Sequence, residues 1–536
     1  MLLLPLFLHI IVVAGTAIFM FMINGHQAFL SRSFSITRAD GSVFFQTGYV
    51  SVQSEIMTIL SFFSSIARTI GAWRASGMLW RCVFLFMEQG RVSLRGVKRM
   101  LGKLPISPGD VSVRHHFLLF SALLLVALIL DFASPVLTGS ITWNPSYAYF
   151  LSDKPISNLP VSASGLSLDL YRSQVGVTQM VSTSVAMGDL TWGTSGNNST
   201  MITRVVPEID SLSNQSKILN ITLPYFAVDT FEWIQDPNNA LTAQQKAILA
   251  NASTYSPYVA SIGWLGLIPD QEWGPLTNPN MTDPLTVSET RVLSLKYPPA
   301  DSSGCKFDDD SIPSDVGSYQ VPINGNNQCF VFARLTYRAG AAICDNCITT
   351  APAVVQRNLS DLTLSPDPLT AEALAMTSFV GMTLTVTGWA LPGSPPFNTT
   401  QERAIQFISR AYQSAWSSLT ETVGVPNGVS PVWIAVPTTQ AYITKWRVLL
   451  WVALHLIVML SSVFFFVLNR HTNYPWLEDP DFAVLFLDTE ALRRREVWED
   501  TDPWKPNAHV PDVTVELVNG GSNRRRIVVR NPMQKE

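Results

Sequence analysis

The residues that could do chemistry in this chain are cysteines and carboxylates, and most of them share one stretch. Cys305, Cys329, Cys344 and Cys347 lie close together, and only Cys82 lies elsewhere. An even set of thiols in an oxidising compartment points to disulfides. Three connectivities are possible, and Cys305–Cys329 with Cys344–Cys347 is the preferred one. Cys344-Asp-Asn-Cys347 also has the spacing of a redox dithiol. A redox site would sit at a helix start. Here Ile348-Thr-Thr-Ala-Pro352 follows, a poor helix former, so a structural disulfide is expected.

Asp308-Asp309-Asp310, with Asp301 and Asp315 nearby, offers the oxygen ligands that Ca²⁺ or Mn²⁺ takes. A D-x-D-like reading would suggest a glycosyltransferase; a solvated acidic loop is the reading favoured. A glycosidase needs two carboxylates at a set separation in space. Histidine is more decisive. The seven histidines are His9, His26, His115, His116, His455, His471 and His509, and none lies between residues 140 and 445. That excludes Ser-His-Asp catalysis, Cys-His catalysis and His-ligated zinc from this stretch. The chain has no G-x-S-x-G, no phosphate-binding loop and no G-x-G-x-x-G. No catalytic, cofactor-binding or metal-binding residue is therefore assigned.

Asn-x-Ser/Thr sequons occur at Asn197, Asn198, Asn214, Asn220, Asn251, Asn280, Asn358 and Asn398. All fall in the stretch that holds the paired cysteines, which marks it as exoplasmic and N-glycosylated.

The elements that would position these residues follow from hydropathy and charge. Residues 1–24 form an apolar segment free of Asp, Glu, Lys and Arg. It reads as a first spanning helix; a cleaved signal peptide is the rival, but the basic n-region is missing. A loop, 25–55, precedes a second spanning segment, 56–87, interrupted by Arg68, Arg74 and Arg81. Residues 88–115 form a basic loop, 116–138 a third span with Asp131 near its far end, and 446–468 a fourth. Short basic loops stay cytosolic. This places 140–445 outside the cytosol and a partly disordered tail, 469–536, inside it. Lys445 and Arg447 oppose that topology, while the sequons and the arginine runs of the tail support it. Within the basic loop, Arg91, Arg95, Lys98 and Arg99 share a helical face opposite Leu94, Val97, Leu101 and Leu104. Such a helix suits contact with anionic lipid.

The outer stretch carries about ten more acids than bases. Strand-like alternation appears in Leu166–Leu170, Phe330–Tyr337 and Met382–Gly388. Capping boxes at Thr242-Ala-Gln-Gln245 and Thr399-Thr-Gln-Glu402 open two helices. The second has Ile405, Ile408, Tyr412, Trp416 and Leu419 on one face and Gly424 after its end, which predicts a core helix under a sheet.

Across all 536 residues the charged fraction is 14 %, the hydrophobic fraction 47 % and the formal charge −4, so the chain is not a strongly basic one suited to coating nucleic acid. The fold class expected is a membrane protein with three or four transmembrane helices and one strand-rich α+β exoplasmic domain. The order of parts, with Val52-Gln-Ser-Glu-Ile-Met-Thr-Ile-Leu-Ser61 through Trp80 and Leu137-Thr-Gly-Ser-Ile-Thr-Trp143, resembles uncharacterised fungal multi-pass membrane proteins. The resemblance implies four spans and a fungal source, and it carries over no catalytic residue. The chain departs from that group in starting almost inside its first span, as if a cytosolic N-terminus were missing. The function expected is non-enzymatic sensing, adhesion or scaffolding by a glycoprotein of the plasma membrane or a secretory endomembrane, through an unidentified outer ligand. A carboxylate-using carbohydrate-active enzyme and an accessory subunit of a transport complex are the alternatives.

Overall fold

A computed structural model describes residues 3–32, 34–37, 42–45, 50–88, 92–93, 133–153, 155–157, 159–162, 174–191, 200–250, 265–268, 284–297, 305, 312–323, 326–388, 399–469, 487–488, 514–519 and 525–530. The chain divides into two compact units. The smaller comprises residues 1–32, 49–146 and 437–536; the larger comprises 33–48 and 147–436.

In the smaller unit, helices Leu3–Met22, Gln53–Glu88 and Lys445–Asn469 occupy three of the four predicted apolar segments. Of the third segment, 116–138, only the helical residues 133–138 are described. The expected transmembrane, multi-pass architecture is corrected here: among the described residues no helix is long and apolar enough to cross a membrane. The middle helix carries Glu55 and Arg68 among its apolar residues. The three helices share a core that includes Met20, Leu60 and Trp451, and they leave Phe7, Ile18, Leu449 and Leu460 exposed. Inside this unit His9 Nε2 and His455 Nδ1 lie 3.0 Å apart, both buried. In the tail, expected to be partly disordered, strands Thr514–Asn519 and Arg525–Arg530 pair antiparallel, and Val92–Ser93 of the basic loop adds to that sheet. Arg91, Arg95, Lys98 and Arg99 lie outside the described residues.

The larger unit is α+β and built on antiparallel pairing. Its main strands are β1 (Ile141–Leu151, in this unit from residue 147), β2 (Met201–Val205), β3 (Lys217–Ile218), β4 (Ile221–Trp233), β5 (Leu265–Ile268), β6 (Val287–Tyr297), β7 (Tyr319–Ile323), β8 (Asn326–Cys344), β9 (Cys347–Ala351), β10 (Val354–Asn358) and β11 (Val432–Ile443, in this unit to residue 436), several of them short. Its main helices are α1 (Gln174–Leu190), α2 (Ala243–Ala250), α3 (Thr370–Gly388) and α4 (Thr400–Val423). One sheet runs β4-β8-β6-β5 with β7 on β8; the other contains β11-β3-β9-β10-β2, with β1 on β11.

The first predicted capping box forms in full, and the second forms its N-cap bond. Thr242 and Gln245 exchange hydrogen bonds at 2.9 and 3.2 Å, and Thr399 Oγ1 accepts from the Glu402 N–H at 3.1 Å. α4 ends at Gly424, whose N–H bonds the carbonyls of Leu419 and Thr420. Its predicted face, through Ile408, Tyr412, Trp416 and Leu419, packs with Phe226, Leu335 and Tyr337 of the five-stranded sheet. Met382–Gly388 is a correction: its alternation suggested a strand, but it is the last part of α3. Helix α3 shares a core with α4 and the sheet, and burial on that side outweighs a local β preference. Tight approach is built in, since a Cβ added at Gly188 of α1 would lie 2.7 Å from Leu384 of α3.

Candidate functional site

The polar side of α4 is also buried, and it explains how the second sheet ends. Strand β2 lies at the sheet edge, paired on one side only with β10. The Thr203 N–H donates to Gln413 Oε1 at 3.2 Å, and the Val205 N–H donates to Ser417 Oγ at 3.4 Å. Thr203 Oγ1 adds a bond to the same Gln413 oxygen at 2.7 Å. Helix side chains thus take up two of the edge N–H donors that a neighbouring strand would otherwise use.

From the same strand, Arg204 enters the interior and is only 1 % exposed. Its Nη1 donates to the carbonyls of Leu159 at 2.5 Å and Thr222 at 2.9 Å, Glu421 lies 3.7 Å away, and Cζ sits 5.4 Å from the Trp416 ring centre. Trp416 in turn donates Nε1–H to Asp367 Oδ2 at 2.8 Å, which also accepts from Leu369 N–H at 2.9 Å. Burial pushes the Asp367 carboxyl up to about 6; the bonds from Trp416, Leu369 and Thr370 and the charge of Arg204 pull the other way and lose. Burial also lowers Arg204 to about 10, which leaves it charged. A strongly shifted carboxyl can mark a catalytic acid. This one is 3 % exposed and committed to packing, so the cluster is a structural keystone.

The exposed counterpart is the face formed by β1, β11 and β3. Lys217 pairs with Trp433 across the strands, which places both side chains on one face. Lys217 Nζ lies 4.0 Å from the centre of the Tyr149 ring, and Trp433 is 36 % exposed. Partial burial, then the neighbouring Tyr147, raises the Tyr149 phenol above its ordinary value. An ammonium, a phenol and an indole on one sheet face can hold an amphipathic ligand by ring stacking and hydrogen bonds.

The structure pairs Cys305 with Cys329 and Cys344 with Cys347, the connectivity preferred from sequence. Cys344 ends β8 and Cys347 opens β9, so the second bridge closes the turn between the two sheets and no helix follows it. Among the sequons, Asn214 and Asn220 are exposed and Asn358 is half-exposed, its side chain accepting from Ser360 N–H at 3.2 Å. Asn197, Asn198, Asn251, Asn280 and Asn398 lie outside the described residues, as do Asp301, Asp308, Asp309, Asp310 and Asp131 and the side chains of Arg74 and Arg81. Asp315 accepts a bond from Gln235, Arg68 is exposed, and the described residues contain no group able to hold a metal ion. Sequence reading missed Arg204, Asp367, Lys217 and Trp433. The one signal available was a lone arginine in the apolar run Met201-Ile-Thr-Arg-Val-Val206. No known protein family, curated protein or solved structure matches this chain.

Proposed function

We propose that the chain is a glycoprotein of the exoplasmic space whose larger unit is a non-catalytic recognition module for sensing, adhesion or scaffolding. The observation that carries this reading is the cystine pair on β8. Cys329 and Cys344 both belong to that strand, which pairs with β4, β6 and β7. A sheet braced in this way suits an oxidising compartment, where disulfides persist. Carboxylate catalysis is the weaker reading, because the strongly shifted Asp367 is sealed beneath Trp416 while the accessible chemistry lies on the Trp433 face.

The test is full-length expression in secretion-competent eukaryotic cells, followed by N-glycosidase digestion and peptide mapping without reductant. The expected result is a glycosidase-dependent mobility shift together with Cys305–Cys329 and Cys344–Cys347 peptides. Free thiols and no glycan would sink the reading.

A further inference from the structure

The turn before β3 is fixed from both sides. Ser216 N–H closes it on the Ser213 carbonyl at 3.2 Å, with Gln215 at φ 69°. Thr349 of β9 bonds it through its backbone N–H to Ser216 O at 2.9 Å and its hydroxyl to Ser213 O at 2.8 Å. From β11, Ala435 N–H donates to Ser216 Oγ at 3.0 Å, and Ser213 Oγ donates to the Ala435 carbonyl. Asn214 is exposed on this turn and is the acceptor of an Asn-Gln-Ser sequon. Lys217 follows three residues later, at most about 10 Å along the chain. Trp433 faces Lys217, two residues from the Ala435 that anchors the turn.

We infer that the inner sugars of an N-glycan on Asn214 dock on the face made by Trp433, Tyr149 and Lys217. The inference rests on the exoplasmic reading. The occupant is chosen by position, because its point of attachment borders the face. It is also chosen by chemistry. A pyranose ring has an apolar C–H side that meets the negative face of an indole or phenol, and edge hydroxyls that accept from an ammonium. The pinned turn matters, because a glycan leaving from a fixed point loses less freedom on docking than one leaving a mobile loop. Attachment is ordinary N-glycosylation: Asn214 Nδ2 displaces the diphosphate of a lipid-linked oligosaccharide at the anomeric carbon, and the amide loses one proton. Ser216, whose hydroxyl the sequon requires, is buried and bonded in the folded chain, so the sugar is added before the turn closes. The glycan then shields the aromatic face.

The test uses the full-length glycosylated protein and follows native N-glycosidase release at Asn214 and Asn220 by glycopeptide mass spectrometry. Asn214 is expected to release at least tenfold more slowly than in Trp433→Ala or Lys217→Met, with Asn220 release unchanged as the folding control. Equal Asn214 release in wild type and both variants overturns the docking, as does a bare Asn214 beside occupied sequons elsewhere. Bare asparagines at every sequon would instead overturn the exoplasmic reading.

Discussion

Two cations of the larger unit, Arg204 and Lys217, each lie over an aromatic ring, and they use it in opposite ways. Arg204 is sealed with Trp416, and its guanidinium is answered by two backbone carbonyls and Glu421. Lys217 lies over Tyr149 at the surface, beside an indole that solvent can reach. In the interior each charge is desolvated, so the loss of one partner leaves another group stranded and costs several kcal/mol. At the surface water replaces any lost partner, so the same residue types cost little and stay available to a ligand. A shifted pKa therefore marks the keystone, while exposure and position mark the face assigned to the Asn214 glycan.

The comparison breaks first at Trp416. Trp416→Ala empties the largest fully buried side chain of the unit and frees Asp367, and it should cost about 4–5 kcal/mol in chemical denaturation of the full chain. A cost below about 1 kcal/mol would mean the cluster is not a keystone. Arg204→Met should cost about 3 kcal/mol by the same measurement, because Leu159 and Thr222 lose their donor.

Asp367 sharpens the contrast through pH. Its folded value of about 6 lies above the unfolded 3.8, so the folded state binds the proton more tightly. Its contribution is then fully present below about pH 3.8 and is lost as pH rises through about 6. A shift of this size corresponds to roughly 2–3 kcal/mol across that window. Asp367→Asn should flatten most of the slope; Glu421, also raised by burial, would leave a remainder of the same sign. An unchanged slope in the variant would remove Asp367 from the account.

Gln413→Leu should cost about 1–2 kcal/mol and speed hydrogen exchange at Thr203, whose N–H then lacks an acceptor. Unchanged exchange would show that the helix does not stand in for a strand. The smallest effect belongs to the surface: Trp433→Ala should change stability by less than about 0.5 kcal/mol. A loss above about 2 kcal/mol would make the face structural and end the contrast.

What the sequence determined by itself was whatever depends on short spacing. The capping boxes at Thr242 and Thr399, the stop at Gly424 and the closing of Cys344 on Cys347 each involve groups a few residues apart, so local geometry decides them. The buried face of α4 was legible for the same reason, through its helical period. Tertiary structure decided the rest. Met382–Gly388 became helix as the last part of α3, whose Leu384 packs in the core shared with α4 and lies beside Gly188. Apolar composition suggested spanning helices, whereas among the described residues no helix is long and apolar enough to cross a membrane. Asp367 reads in sequence like any loop acid; its proton affinity comes from desolvation by residues far along the chain, Trp416 and Arg204 among them. Lys217 and Trp433 meet only through a strand register fixed by the whole sheet. Desolvation and register are properties of the assembled unit, and no local pattern carries them.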